Sequence, residues 1–201
     1  MSAPDVPKPA DASKPRVFFA AALAPPLRDD ISGLARRVAR QCSGRPVPGD
    51  NLHLTLAFIG AIERSRLPAV LAAGSAVRAG ATTIDLDRLG GFRRAAVAWV
   101  GPSAPVPALD ALAADVLRTL GEANIGCDAR AFHPHVTIAR HCRAMPEAGP
   151  AGPWRWRIGE IVLFESPAGT GRSRYRALAT WPLGVPGATC RTPQSMPGAR
   201  R

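Results

Sequence analysis

The chain has 201 residues, of which 46% are hydrophobic and 20% charged, an ordinary globular composition that excludes a wholly disordered or fibrous protein. Its 26 basic and 15 acidic residues leave a net charge of +11, which favours a polyanionic partner without naming one. No apolar run is long enough to span a membrane, so no membrane partner is expected. The 4 cysteines form no CxxC pair, which fits a reduced, cytoplasmic setting better than a disulfide framework.

Residues 1–15 and 184–201 lack apolar periodicity and are rich in Pro, Gly, Ala and Ser. Both are expected to be disordered tails, leaving 16–183 as a single folded domain. The first tail is charge-balanced and the last adds only Arg191, Arg200 and Arg201, so most of the basic excess sits on the folded body. Lys14-Pro15-Arg16 ahead of Val17–Ala24 has the look of a short secretory signal. The apolar run is brief and a proline-rich, charge-balanced segment precedes it, so a buried strand over Arg16–Leu23 is the better reading.

Leu27, Ile31, Leu34 and Val38 then recur at helical spacing over about 26–41, entered through Pro25-Pro26. Asn51–Ile59 reads as a strand. Leu67, Val70, Leu71 and Val77 mark a second helix. Thr82–Leu89 alternates strictly, as a half-exposed strand does, and Ala95–Val100 is a buried strand. Leu109, Leu112, Val116 and Leu120 make a third helix. Strands over His133–Arg140, about 155–165 and about 174–182 complete the set.

The order strand, helix, His-x-Thr strand occurs twice, over 16–59 and 95–140. Two half-units too small to bury their own apolar faces should pack as two lobes around a cleft.

In Asn51-Leu-His53-Leu-Thr55-Leu-Ala-Phe58 and Phe132-His133-Pro-His135-Val-Thr137-Ile-Ala-Arg140, strand alternation puts His53 with Thr55, and His135 with Thr137, on one face. Leu52, Leu54, Leu56 and Phe58 take the other face of the first strand. Related by a pseudo-two-fold axis, the four polar groups converge. Such a set suits in-line displacement at phosphorus, which needs a base beside the entering oxygen and an acid beside the leaving one. Histidine can supply both, because its ordinary pKa of about 6.5 allows one neutral and one protonated copy. Threonine hydroxyls can donate to the non-bridging oxygens, and an arginine can neutralise the phosphate.

Set against this, a lone histidine in an apolar strand is more often a satisfied structural residue, and threonine is a common strand residue. The matched frames weigh for chemistry. A metal site would draw on His133, His135, His141, Cys127 and Cys142, but their spacing fits no common zinc frame. Gly90-Gly91 lacks the lysine and helix of a phosphate loop, so ATP use is not indicated.

These segments, together with Arg16-Val-Phe-Phe-Ala20 and Gly171-Arg-Ser-Arg-Tyr-Arg-Ala-Leu178, resemble the two-histidine (2H) phosphoesterase superfamily. Within it they are most similar to the bacterial LigT-like RNA 2′,3′-cyclic phosphodiesterases, also called 2′-5′ RNA ligases. The resemblance covers about 16–183. It implies an α+β, bilobal fold of pseudo-two-fold duplicated β-α-β units, with antiparallel sheets around a central basic cleft and no metal or nucleotide cofactor. It implies that His53 protonates the leaving 3′-oxygen, that His135 activates water, and that a 2′-phosphate is produced. Thr55, Thr137 and Arg140 would bind the substrate, and His133 would give structural support. Strict alternation puts Arg140 on the face away from His135, so the strand must end or twist before it. The expected partner is RNA ending in a 2′,3′-cyclic phosphate, tRNA fragments included, and the chain is expected to act as a monomer. A 2′-5′ ligase, a phosphodiesterase for small cyclic nucleotides and a non-catalytic RNA-end binder stay open beside it.

Overall fold

The computed structural model describes residues 14–128, 130–166 and 174–184. The expected tails therefore lie almost wholly outside the described residues. Nine strands and three α-helices follow in order: β1 (Arg16–Ala22), α1 (Leu27–Gln41), β2 (Arg45–Pro46), β3 (His53–Ala61), α2 (Leu67–Ala76), β4 (Thr82–Phe92), β5 (Val97–Gly101), α3 (Pro107–Glu122), β6 (Val136–Arg140), β7 (Gly149–Ile158), β8 (Glu160–Ser166) and β9 (Arg176–Pro182).

The helices form where the pattern is amphipathic. In α1, Ile31, Leu34, Ala35 and Val38 are buried at helical spacing. Asp29 and Asp30 lie in its first turn and Arg40 in its last, each complementing the helix dipole. Pro107 opens α3, where its missing N–H costs nothing.

The strands form one antiparallel sheet in the order β7-β4-β5-β6-β3-β1-β8-β9, with the two-residue β2 also paired to β6. The order reads symmetrically about its middle. On one side β6 and β5 flank the loop to α3, and on the other β3 and β1 flank the loop to α1. The two halves join at β3 and β6, where the ladder is one antiparallel pair, Leu54 with Val136. The helices interlock them, since α1 packs on β6 and α3 packs on β3.

One face of the sheet is sealed. Phe19 of β1, Leu54 of β3, Ile138 of β6, Leu109 and Leu120 of α3 and Ile31 of α1 are all fully buried in one core. The other face is open and carries a smaller cluster of Phe18, Ala20, Val162 and Phe164, edged by Phe58 and Tyr175.

Four expectations need correction. The strand expected from Ala95 begins at Val97, because Arg93–Ala95 form a 3₁₀ turn. The single strand over about 155–165 is two strands, β7 and β8, broken at Gly159, whose carbonyl instead accepts from Leu183 N at 2.9 Å. The strand expected from Asn51 begins at His53, because Gly49–Asn51 form a 3₁₀ turn. The strand expected from His133 begins at Val136; Pro134 has no N–H to give to a ladder.

Leu54 is fully buried at the junction of the halves. Leu54→Ala is expected to lower unfolding free energy by about 2–5 kcal/mol, the usual cost of emptying such a site. Urea denaturation with an unchanged m-value would measure it.

Candidate active site

His53 opens β3 and is pre-set by the turn before it. The Asn51 N–H donates to Pro48 O at 2.9 Å, and the Leu52 N–H to Gly49 O at 3.0 Å. The turn aims the Asn51 carbonyl at the imidazole, whose Nδ1–H donates to it at 2.7 Å. Asn51 also accepts from the Tyr175 N–H through its side-chain Oδ1 at 3.0 Å, tying the start of β3 to the segment before β9. The carbonyl of His133 receives Nδ1–H of His135 at 2.6 Å in the same way. A carbonyl has no proton to donate, so both rings carry hydrogen on Nδ1, which leaves Nε2 of the neutral ring as an acceptor. At His53 the Thr55 hydroxyl donates to that Nε2 at 3.1 Å.

Each imidazole rests on its own aromatic wall. The His53 ring lies 4.9 Å from Phe18, 5.3 Å from Tyr175 and 6.2 Å from Phe164. The His135 ring lies 5.1 Å from Phe92, 6.2 Å from Trp99 and 5.9 Å from His133. Trp99 itself packs against Gly90, where an added Cβ would come within 2.3 Å of the indole; this glycine makes room for aromatic packing. Phe18 and Tyr175 lie in segments that carry the family resemblance, but Phe92, Trp99 and Phe164 did not stand out in the sequence, since each is one apolar residue among many.

Antiparallel continuation of the Leu54–Val136 register sets His53 across from Thr137 and Thr55 across from His135. The histidines then stand on a diagonal, and diagonal positions of a ladder lie roughly 7–8 Å apart. Arg140 reaches the same face by an irregularity. The β5–β6 register shifts between Ala98 and Trp99, so Val97 pairs with Arg140 while Trp99 pairs with Thr137. Val97 and Trp99 share a face of β5, so Arg140 and Thr137 share a face of β6. The twist that alternation demanded is this bulge. A second bulge, between Phe19 and Ala20 on the β1–β3 ladder, brings Phe58 to the open face, where it stacks on Phe18 at 6.4 Å. The expectation that Phe58 lies with Leu52, Leu54 and Leu56 is thereby corrected.

Electrostatics follow from this packing. Burial lowers the His53 pKa from 6.5 to about 4, with the charges of Arg140 and His135 adding to the effect against the Asn51 carbonyl, which raises it. Burial also lowers His135, and the charges of His133 and Arg140 push the same way. Both rings are therefore neutral in the free protein at pH 7. Arg140 is exposed, yet close enough for its charge to act on both. His133 and His135 stand together, whereas Cys142 is buried against Cys42. Among the described residues no three His, Cys, Asp or Glu side chains are grouped to hold a metal.

The comparisons bear on this arrangement. A family model described as LigT like Phosphoesterase matches residues 22–99. An Escherichia coli protein named RNA 2′,3′-cyclic phosphodiesterase is 35% identical over 171 residues, covering 84% of this chain and 96% of the relative. A Geobacillus stearothermophilus protein of the same name is 31% identical over 67% of this chain and 46% of its own length. Among solved structures, E. coli LigT complexed with 3′-AMP superposes with a TM-score of 0.77 at 32% identity, covering 86% of this chain and 99% of that one.

The depressed imidazole pKa fixes a sign for stability. Between pH 6.5 and about 4 the unfolded chain holds a proton at His53 that the folded chain does not, so stability falls as pH falls. The contribution of His53 approaches about 1.4 kcal/mol per pH unit in that window, and His135 adds in the same direction. Asp115 and Asp128, whose carboxyls are held low by hydrogen bonds, act below it, around and under 3.8. Urea midpoints at pH 7, 6 and 5 should decline for the native chain and decline less steeply in His53→Gln, where the contribution of His135 remains.

Proposed function

The chain belongs to the LigT-like phosphoesterase family, and from that premise we propose that it hydrolyses the 2′,3′-cyclic phosphate end of RNA through the paired imidazoles of His53 and His135. The observation that carries this reading is the matched carbonyl bond at each Nδ1, which turns both Nε2 atoms toward the same open face. All the groups required come from one chain, in keeping with a monomer. One sheet runs from β7 to β9 with both imidazoles at its middle strands, in keeping with one bilobal domain over 16–183. No helix among the described residues is long and apolar enough to cross a membrane. Free Cys42, Cys127 and Cys142 fit a reducing cytoplasm, where ends of RNA fragments, those of tRNA included, are the substrate.

His135 Nε2 takes a proton from water as the water oxygen bonds to phosphorus, and the 3′-oxygen leaves on the opposite side. Protonated His53 gives its Nε2 proton to that oxygen. The product is a 2′-phosphate, and solvent restores the two rings. The acid role of His53 agrees with its electrostatics, because a ring whose proton affinity is depressed by burial is a strong acid once charged. The charge must come with the substrate: an anionic phosphate beside both rings raises both pKa values. Protonation of His53 also releases Thr55, since an imidazolium Nε2 can no longer accept the hydroxyl hydrogen. That hydroxyl, Thr137 and the Arg140 guanidinium then stabilise the non-bridging oxygens as charge builds on them. No step calls on a metal.

His53→Ala and His135→Ala are each expected to lower kcat by about 10²–10⁴ on a 2′,3′-cyclic-phosphate dinucleotide, with wild-type turnover persisting in EDTA. Near-native turnover in either folded variant would remove that residue from the chemistry. The pH dependence adds a sharper test. Because the bound anion raises the imidazole pKa values, the alkaline limb of kcat should lie at higher pH than that of kcat/KM. Coincident limbs would mean that the phosphate does not sit beside the rings.

A further inference from the structure

Across the sheet, charged side chains that meet directly are mostly of opposite sign: Asp85 pairs with Arg155 across β4 and β7, and Glu165 with Arg176 across β8 and β9, the latter closed by an ion pair. The exception stands at the centre. Arg45 of β2 is directly opposite Arg140 of β6. Like charges in directly opposed positions destabilise a ladder, and among the described residues neither guanidinium has a carboxylate partner. Both side chains are exposed.

The backbone enforces this meeting. Gly44, immediately before Arg45, lies so close to β6 that an added Cβ would come within 2.8 Å of the Arg140 carbonyl. The Val47 N–H donates to Ile138 O at 2.9 Å on the other side of the pair. Directly opposed residues share a face, so Arg45 stands with Arg140 and Thr137 on the side that carries the imidazoles. Its row across the sheet, Val97-Arg140-Arg45, lies beyond the Trp99-Thr137 row. With one residue taken up by the bulge, the two rows are about two strand steps apart, roughly 7 Å.

We infer that Arg45 opens a second phosphate subsite beside Arg140, whose guanidinium is shared between the two phosphates: Arg45 holds the phosphodiester on the 5′ side of the terminal nucleotide, while Arg140 also reaches the cyclic phosphate between the histidines. An anion between the two guanidinium groups turns their repulsion into two charge-assisted contacts. The row separation sets that anion one phosphate away from the reacting one. This subsite would make the chain favour an RNA end over a free cyclic mononucleotide. The inference rests on the reading that the reacting phosphate binds at His53 and His135.

The test compares a 2′,3′-cyclic mononucleotide, which has no flanking phosphodiester, with a 2′,3′-cyclic-phosphate dinucleotide, which has one. In Arg45→Ala the dinucleotide KM should rise about ten- to a hundredfold, the size of a lost charge-assisted contact. The dinucleotide's advantage in kcat/KM over the mononucleotide should shrink at least tenfold, and Arg45→Lys should restore part of it. The salt dependence of the dinucleotide KM should weaken by about one ion. Since the substitution removes a repulsion, the Tm of the free protein should hold or rise; a fall would mean that Arg45 is structural and would overturn the inference. Equal losses on both substrates would move Arg45 to the reacting phosphate and overturn it as well, as would no loss on either. Wild-type protein inert toward both substrates would instead sink the reading on which the inference rests.

Discussion

The pairing of Leu54 with Val136 is the contact on which the site depends. It is the one ladder pair between β3 and β6, and it sets the two His-x-Thr segments side by side. Both residues are fully buried, so slipping the register by one position would turn two apolar side chains toward water and both imidazoles into the core. One pair of this kind is a weak link by itself. It holds because α1 lies behind β6 and α3 behind β3, so each half covers the catalytic strand of the other. Separating the halves would expose both helices' apolar stripes.

Within that frame, irregularities aim the side chains. A strictly pleated β6 would send Arg140 to the helix side, among buried Ile138 and Ala139. The shift opposite Ala98 and Trp99 takes up one residue and returns Arg140 to the open face. The corresponding shift on the β1–β3 ladder delivers Phe58 to the wall beneath His53. The same device serves both halves, near the same place in each motif.

Period and patterning made most of the framework legible in the sequence. The three helices and the strands β1, β4 and β5 follow from spacing of apolar residues, and the His-x-Thr repeats follow from two segments alike in frame. What stayed hidden was long-range. Gly159 splits an apolar stretch into β7 and β8 only because each strand finds a different neighbour. Arg45-Pro46 looks like loop and becomes β2 only because Gly44 permits contact with β6. Phe18, Phe92, Trp99 and Tyr175 gain their role from residues distant in the chain that stack on them. Asn51 was visible as part of a motif, but its double task, a carbonyl for His53 and an Oδ1 for the Tyr175 amide, needs the folded backbone.

The aromatic walls and the arginines act on the histidines in one direction. Desolvation disfavours an imidazolium, and so does the positive charge of Arg140. Only the carbonyls of Asn51 and His133 favour it, and they are outweighed. At rest, then, the site is uncharged at its centre and positive at its edge, a field that draws an anion in; on the proposed mechanism the acid of the pair is unarmed until the anion arrives. A neutral or cationic molecule entering the cleft would meet two neutral bases and no proton donor. Under the proposed mechanism, selectivity for a phosphate is built into the protonation equilibrium as well as into the contacts: the group to be cleaved is the same group whose charge would stabilise the proton needed to cleave it. Truncating a wall residue such as Phe18 would admit water beside His53 and raise its proton affinity, loosening that coupling while leaving every catalytic side chain in place.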